Sequence, residues 1–303
     1  MKPTSIIALI VAVALVICGF ITCTIAKGMA ESDGNSLFAE KRGDDFVNTV
    51  SLSDIPINAL DLTLNDTSIY IHGQSDNAYA EIINFNDNNY NLTTTSQVLT
   101  FKEVPDLLSM LKFWENGFSF KGMRYIFNPR QPSGDDERSV HIYLGTTDTK
   151  IGEITIHAEN CDVHIDNVST ASEFNLFLDN CNLSLDTVSL TDELAIVGED
   201  ITIDAIGCIF DKIGVQSTDL MMDLTDILVS TSSEIRFATG VVNIDLPQSA
   251  LTGSNISLQA QNGGTVTVNG NMVGSGYSRE DDGVNWSIIA TDGGDISISD
   301  SNS

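Results

Sequence analysis

Glu159-Asn160-Cys161-Asp162-Val163-His164-Ile165-Asp166-Asn167-Val168-Ser169 lines up with Asp179-Asn180-Cys181-Asn182-Leu183-Ser184-Leu185-Asp186-Thr187-Val188-Ser189 at an offset of 20 residues. Asn, Cys, Asp, Val and Ser are identical between the two stretches, and most other positions exchange like for like. The kernel is apolar-x-apolar-Asp, a period-two pattern that buries one face of a strand and ends it at a turn residue. The kernel returns as Ile201-Thr202-Ile203-Asp204, Leu220-Met221-Met222-Asp223 and Val242-Asn243-Ile244-Asp245, then more loosely as Val266-Thr267-Val268-Asn269, at offsets of 18, 19, 22 and 24. A unit of this size holding short strands cannot bury its apolar side alone. Stacking such units makes a continuous core, so the repeat predicts an all-β fold, a β-solenoid or β-helix-like stack of short strands. A β-sandwich of regular hairpins is the alternative.

Working toward the N-terminus, Leu60, Leu62 and Leu64 alternate with Asp61 and Thr63, and Ile69 and Ile71 follow across an Asn65-Asp66 turn. Ala80 and Ile82, then Leu92 to Phe101, continue the strand pattern. Residues 104–130 differ. Pro105-Asp106 opens a short helical pattern, and aromatic residues alternate with Lys112, Lys121, Arg124 and Arg130. This segment reads as a cap over one end of the stack, which exposed terminal repeats require. The other reading is an aromatic-basic interaction surface, with Trp114, Phe118, Lys121, Arg124 and Tyr125 as candidate contacts for lipid headgroups or a partner.

The first residues carry a different signal. Ser5 to Ile25 is uncharged and apolar, and about 20 such residues span a hydrocarbon core of about 30 Å. The run is longer than a signal-peptide core and lacks a good cleavage site, so an uncleaved transmembrane helix is expected over 1–27. Cleavage, or lipidation at Cys18 or Cys23, stays open. A polar, small-residue stretch over 28–50 reads as a flexible stalk, and 51–303 as the acidic repetitive β domain. Lys27, Lys41 and Arg42 follow the apolar run and do not by themselves favour export of the long side. The short leading tail, Met1–Thr4, and the composition of the domain favour placing it outside the cytoplasm.

The chain has 42 acidic and 14 basic residues, a net charge of −28. Nucleic-acid affinity comes largely from Lys and Arg on phosphates, so nucleic acid is excluded as a partner class. Such charge keeps an exposed β domain soluble and its edges unpaired.

Leu62-Thr63-Leu64-Asn65-Asp66 with Ile69-Tyr70-Ile71-His72-Gly73, then Tyr79 to Phe85, Leu99-Thr100-Phe101 and Val140-His141-Ile142-Tyr143-Leu144-Gly145, resemble the bacterial "putative adhesin" domain family of unknown function. The resemblance covers roughly residues 50–300. It implies a membrane-tethered domain of stacked β-strands and brings no site residues with it.

Catalytic chemistry finds no support. Cys161, Cys181 and Cys208 lack the spacing of a zinc site. Cys161 and Cys181 fall about 4.8 Å apart in adjacent turns, which suits either a stacked thiol pair or a disulfide. His72, His141, His157 and His164 are scattered and read as solvated imidazoles. His157 and His164 are expected to face outward, with Ile156 and Ile165 inward, and to have the chance of meeting. Carboxylates abound, yet none is singled out by an apolar setting, and Asp292-Gly293-Gly294-Asp295 lacks a recognised calcium-loop pattern. The expectation is therefore a non-enzymatic, membrane-anchored cell-envelope protein without catalytic residues, cofactor or metal. Its partners would be the membrane, through the N-terminal helix, and a surface protein or glycan. The alternative is a regulatory, envelope-stress module acting through a membrane partner; a surface glycan-active enzyme ranks below both.

Overall fold

The computed structural model describes residues 40–42, 45–52, 57–73, 75–85, 89–104, 137–145, 151–169 and 171–300. The described chain is all-β with one short helix. Its strands are β1 (Glu40–Arg42), β2 (Asp45–Ser51), β3 (Ala59–Asn65), β4 (Ser68–His72), β5 (Ala78–Ile83), β6 (Tyr90–Thr95) and β7 (Val98–Glu103). Then come β8 (Ser139–Leu144), β9 (Glu153–Glu159), β10 (Asp162–Asp166), β11 (Glu173–Asp186), β12 (Glu193–Ile206), β13 (Ile209–Thr225) and β14 (Leu228–Leu246). Helix α1 (Gln248–Thr252) precedes β15 (Asn255–Ala260), β16 (Val266–Val268), β17 (Asn271–Gly274), β18 (Gly276–Arg279), β19 (Asn285–Ala290) and β20 (Asp295–Asp300). No helix among the described residues is long and apolar enough to cross a membrane. The anchor expected over 1–27 lies outside the described residues, as does the cap expected at 105–130.

The repeat folds as rungs that stack in parallel. β11 pairs with β9 and β10 before it and with β12 after it, and β12, β13 and β14 continue the stack. Within a rung the inside-outside alternation slips where two outward residues follow each other: Glu159-Asn160, Asp179-Asn180 and Glu199-Asp200. There the chain turns a corner, with Asn160, Asn180 and Asp200 at φ of 54°, 51° and 50°. Asn and Asp tolerate this left-handed region better than most residues, because a short polar side chain bonds locally. The corner separates two flat faces. On the first, Leu62, Ile156, Leu176, Ile196, Val215 and Ile235 form one buried row; on the second, Val163, Leu183, Ile203, Met222 and Val242 form another. Val168, Val188, Cys208 and Ile227 close a short third side. Outside, amide-carboxylate ladders link the rungs, with Asn182 donating to Asp162 and Asn243 to Asp223, each at 2.7 Å. An amide in register beside an Asp avoids the like-charge contact that a second acid there would suffer.

Spatial register corrects the spacing read from the kernels. Leu183 stacks on Ile203, and Met222 on Val242, so neighbouring rungs there advance by 20 residues where the kernels had suggested 18 and 22. Because strand side chains repeat every two residues, an error of two leaves every residue on its proper face and goes unseen. The ends depart further. β3 and β4 sit between the β7/β8 rung and the β9/β10 rung. β19 and β20 likewise sit between β14 and the β15/β16 rung, so Ile296 intervenes between Val242 and Val266. Antiparallel strands finish both ends, β6 on β7 and β5 on β8 at one, β18 on β15 and β17 on β16 at the other.

The stalk boundary moves too. β2 starts at Asp45 and pairs with β5, and Val47 is buried, so the folded domain begins before residue 51. The polar neighbours of Phe46-Val47 had hidden this strand.

The described cysteines, Cys161, Cys181 and Cys208, are free thiols. The Cys161 N–H donates to Cys181 Sγ at 3.4 Å across neighbouring rungs, and Val188 N–H donates to Cys208 Sγ at the same distance at a different corner. Burial pushes the Cys208 thiol above its ordinary value, as suits a packing group.

Candidate functional site

Trp114, Phe118, Lys121, Arg124 and Tyr125 lie outside the described residues. The two flanks of their segment are fastened together. Arg138 pairs with Glu103, donates to the carbonyls of Asn65 at 2.9 Å and Asp66 at 3.2 Å, and lies over the Phe85 ring.

The described surface gathers six ring side chains on the second face, near the β3/β4 end of the stack. Register does the gathering. Tyr70 stands beside His164 on one side and His141 on the other; His72 stands beside Asp166 and Tyr143, and Tyr143 beside Tyr79. The rings stack in two rows. In one, Tyr70 lies 4.8 Å from His164 and 4.3 Å from His141; in the other, Tyr143 lies 4.6 Å from His72 and 4.2 Å from Tyr79. These separations approach the spacing of hydrogen-bonded strands, about 4.7–4.9 Å. The rings therefore stand upright on the sheet, faces together and edges outward. Asp166 closes one end: it accepts from His72 Nδ1 at 2.6 Å and from the Asn167 amide at 2.8 Å. Glu81, paired with His141, closes the other.

This arrangement corrects two expectations. His72, His141 and His164 are one cluster, not scattered imidazoles, because strands far apart in sequence became neighbours. His157 does face outward, but on the first face, where it stacks on Phe177 at 4.5 Å, across the corner from His164. The motifs Tyr70-x-His72, His141-x-Tyr143 and His164-x-Asp166 share one alternation, which was the available signal.

Chemically the patch has the make-up of a contact surface. Tyr and His edges present hydrogen-bonding tips on rings whose rotamers are already fixed by stacking, which lowers the entropy cost of binding. Among the described residues no group of three or more His, Cys, Asp or Glu is placed to hold a metal ion.

Two members have shifted titration. Burial, with His72 adding to it and Glu81 opposing, holds His141 below its ordinary 6.5. An unfolded chain takes up that proton first, so the stability His141 contributes is present above about pH 6.5 and is lost as pH falls below it. Burial, followed by Tyr79 and Glu81, pushes Tyr143 up to about 12. Its contribution is intact below about pH 10 and is lost as pH rises through the folded value. Denaturant midpoints measured across pH check both. His141→Gln is expected to flatten the acid side and Tyr143→Phe the alkaline side; curves that overlay the parent's would contradict the assignments.

A second feature lies on the first face. A groove of about 370 Å³ is lined by Thr63, Leu64, Asn65, Glu103, His157, Ala158, Glu159 and Phe177. Phe177 and its neighbour Val197 are 45% and 46% exposed, one of several such apolar pairs on the described surface, with Met221 and Val241 another.

No protein-family model matches the chain, and no curated protein matches it. Among solved structures it is similar to a "putative cell adhesion protein" from Clostridium sporogenes ATCC 15579, with 12% identity over 84% of this chain and 98% of that one and a TM-score of 0.32. It is also similar to a "putative adhesin" from Bacteroides fragilis NCTC 9343, with 11% identity over 85% of this chain and 98% of that one and a TM-score of 0.45. Both TM-scores fall below one half.

Proposed function

We propose that the chain is a non-enzymatic, single-pass membrane protein of the cell envelope whose acidic β-solenoid stands outside the cytoplasm as a surface-interaction module, an adhesin in the broad sense. The observation that carries the reading is the patch of Tyr70, Tyr79, Tyr143, His72, His141 and His164. Six half-buried rings set in register on a flat face make a rigid, amphipathic surface, the composition that interfaces favour. Ser184 stands in register beside His164, yet among the described residues no hydrogen bond joins the two, and binding is the activity assigned. The apolar run at Ser5–Ile25 supplies the anchor for this reading.

The test has two parts. A C-terminal tag should be lost when intact cells meet external protease while a cytoplasmic control is spared; protection until lysis would end the reading. Cells displaying the full chain should also adhere to like cells or to isolated wall material. The double change Tyr70→Ala and Tyr143→Ala is expected to weaken that adhesion at least about tenfold, since central aromatic residues dominate binding energy. Undiminished adhesion by a folded double variant would remove the patch from the mechanism.

A further inference from the structure

We infer that the groove beside Phe177 is a saccharide subsite, taking a pyranose unit that carries no acidic group. The site lies across the Asn160 corner from the ring patch and goes beyond the contact role proposed for it. Its apolar side is two parallel rings, the His157 imidazole in register beside Thr63 and the Phe177 ring behind it, 4.5 Å away and at 5°. The outward His157 imidazole and the Phe177 ring, left 45% exposed, together offer an aromatic surface to the C–H side of a sugar. Its polar side is the Glu159 carboxylate, the Asn65 amide and the Thr63 hydroxyl.

Hydrogen-bond accounting separates the two acids of the lining. Glu103 is occupied: Oε1 is paired with Arg138, and Oε2 accepts the Asn65 N–H at 2.9 Å. The Glu159 carboxylate has no hydrogen bond or ion pair within the described residues. It is the acceptor left for sugar hydroxyls, which are donors. No Lys or Arg lines the groove itself, and the two beside it are already paired, Lys102 with Asp61 and Arg138 with Glu103, so a uronic or sialic acid would bring its charge against Glu159 without a free cation to meet it. A peptide is a poorer occupant. β7, β3, β9 and β11 are each paired along both edges, so an extended chain finds no open strand to join. The volume, about 370 Å³, falls within the usual small-molecule range of about 300–1,000 Å³.

The full chain, held in a detergent without sugar headgroups, is titrated by calorimetry with cellotetraose, N-acetylchitotetraose and tetragalacturonate, and with tetralysine as a peptide probe. At least one of the two neutral oligosaccharides is expected to bind, and tetragalacturonate and tetralysine are not. Phe177→Ala should weaken the binding at least tenfold and Glu159→Gln at least threefold. Phe177→Tyr, which keeps the ring, should retain it. Melting temperatures of these surface variants should match the parent's, so a loss of binding is not a loss of fold. Tyr70→Ala should leave saccharide binding unchanged, which separates this site from the ring patch. The inference is overturned if neither neutral oligosaccharide binds, if Phe177→Ala binds as the parent does, or if tetragalacturonate or tetralysine binds as tightly as the neutral probes.

Discussion

Ile203→Asp is expected to break the stack at its middle. Ile203 is 1% exposed and sits between Leu183 and Met222 in the buried row of the second face. A carboxylate there costs several kcal/mol whether it stays charged or takes up a proton, against a typical total stability of about 5–15 kcal/mol. Each rung touches only its neighbours, so the damage has a place. Hydrogen exchange should show protection lost first over β11, β12 and β13, with β3, β4 and β9 retaining more. Ile203→Val, which removes one methylene, should cost only about 1 kcal/mol. An aspartate variant that melts within a degree or two of the parent would show that this row is not the core.

Gly198→Ala should cost about 3 kcal/mol, although it adds a single methyl group. Gly198 lies in register between Leu178 and Ser217. A Cβ built on it would come 1.5 Å from the Leu178 carbonyl oxygen. That oxygen belongs to the backbone and cannot turn aside, so the two rungs must part. The expected fall in melting temperature is about 6 °C or more for a domain of this size. Gly207→Ala is the comparison. Gly207 has φ of +63° but nothing within 4 Å of a Cβ, so only the left-handed strain applies, about 1–2 kcal/mol. Equal melting of the two variants would show that the close approach at Gly198 is not a constraint.

The middle of the molecule was legible because the repeat there is local. Asn160-Cys161 and Asn180-Cys181 occupy equivalent corners, and the structure stacks them as the alignment did. Legibility declined with sequence distance. Nothing in Val266-Thr267-Val268 reveals that Ile296-Ser297-Ile298 comes between it and Val242, because all three strands carry the same alternation. The same limit hid the ring patch. His72 and Asp166 are 94 residues apart and bonded, and each of the strands involved reads alone as an ordinary half-exposed strand. The aromatic-basic residues that composition singled out lie outside the described residues. The patch and the groove instead use Tyr, His and Phe at outward positions that look unremarkable until register is known.

The insertion of β19 and β20 between β14 and the β15/β16 rung orders events during synthesis. Residues 255–268 emerge first, yet their parallel neighbours are residues 285–300. At synthesis rates of about 5–20 residues per second, that leaves an interval of a few seconds. During it the nascent chain must hold β15 and β16 away from β14, or let them settle there and then displace them. A chain cut short before Trp286 keeps that provisional edge permanently, with Ile256 and Leu258 beside it. Release from the ribosome with the final strands missing would therefore yield an adhesive by-product, and quality control would have an exposed parallel edge by which to recognise it.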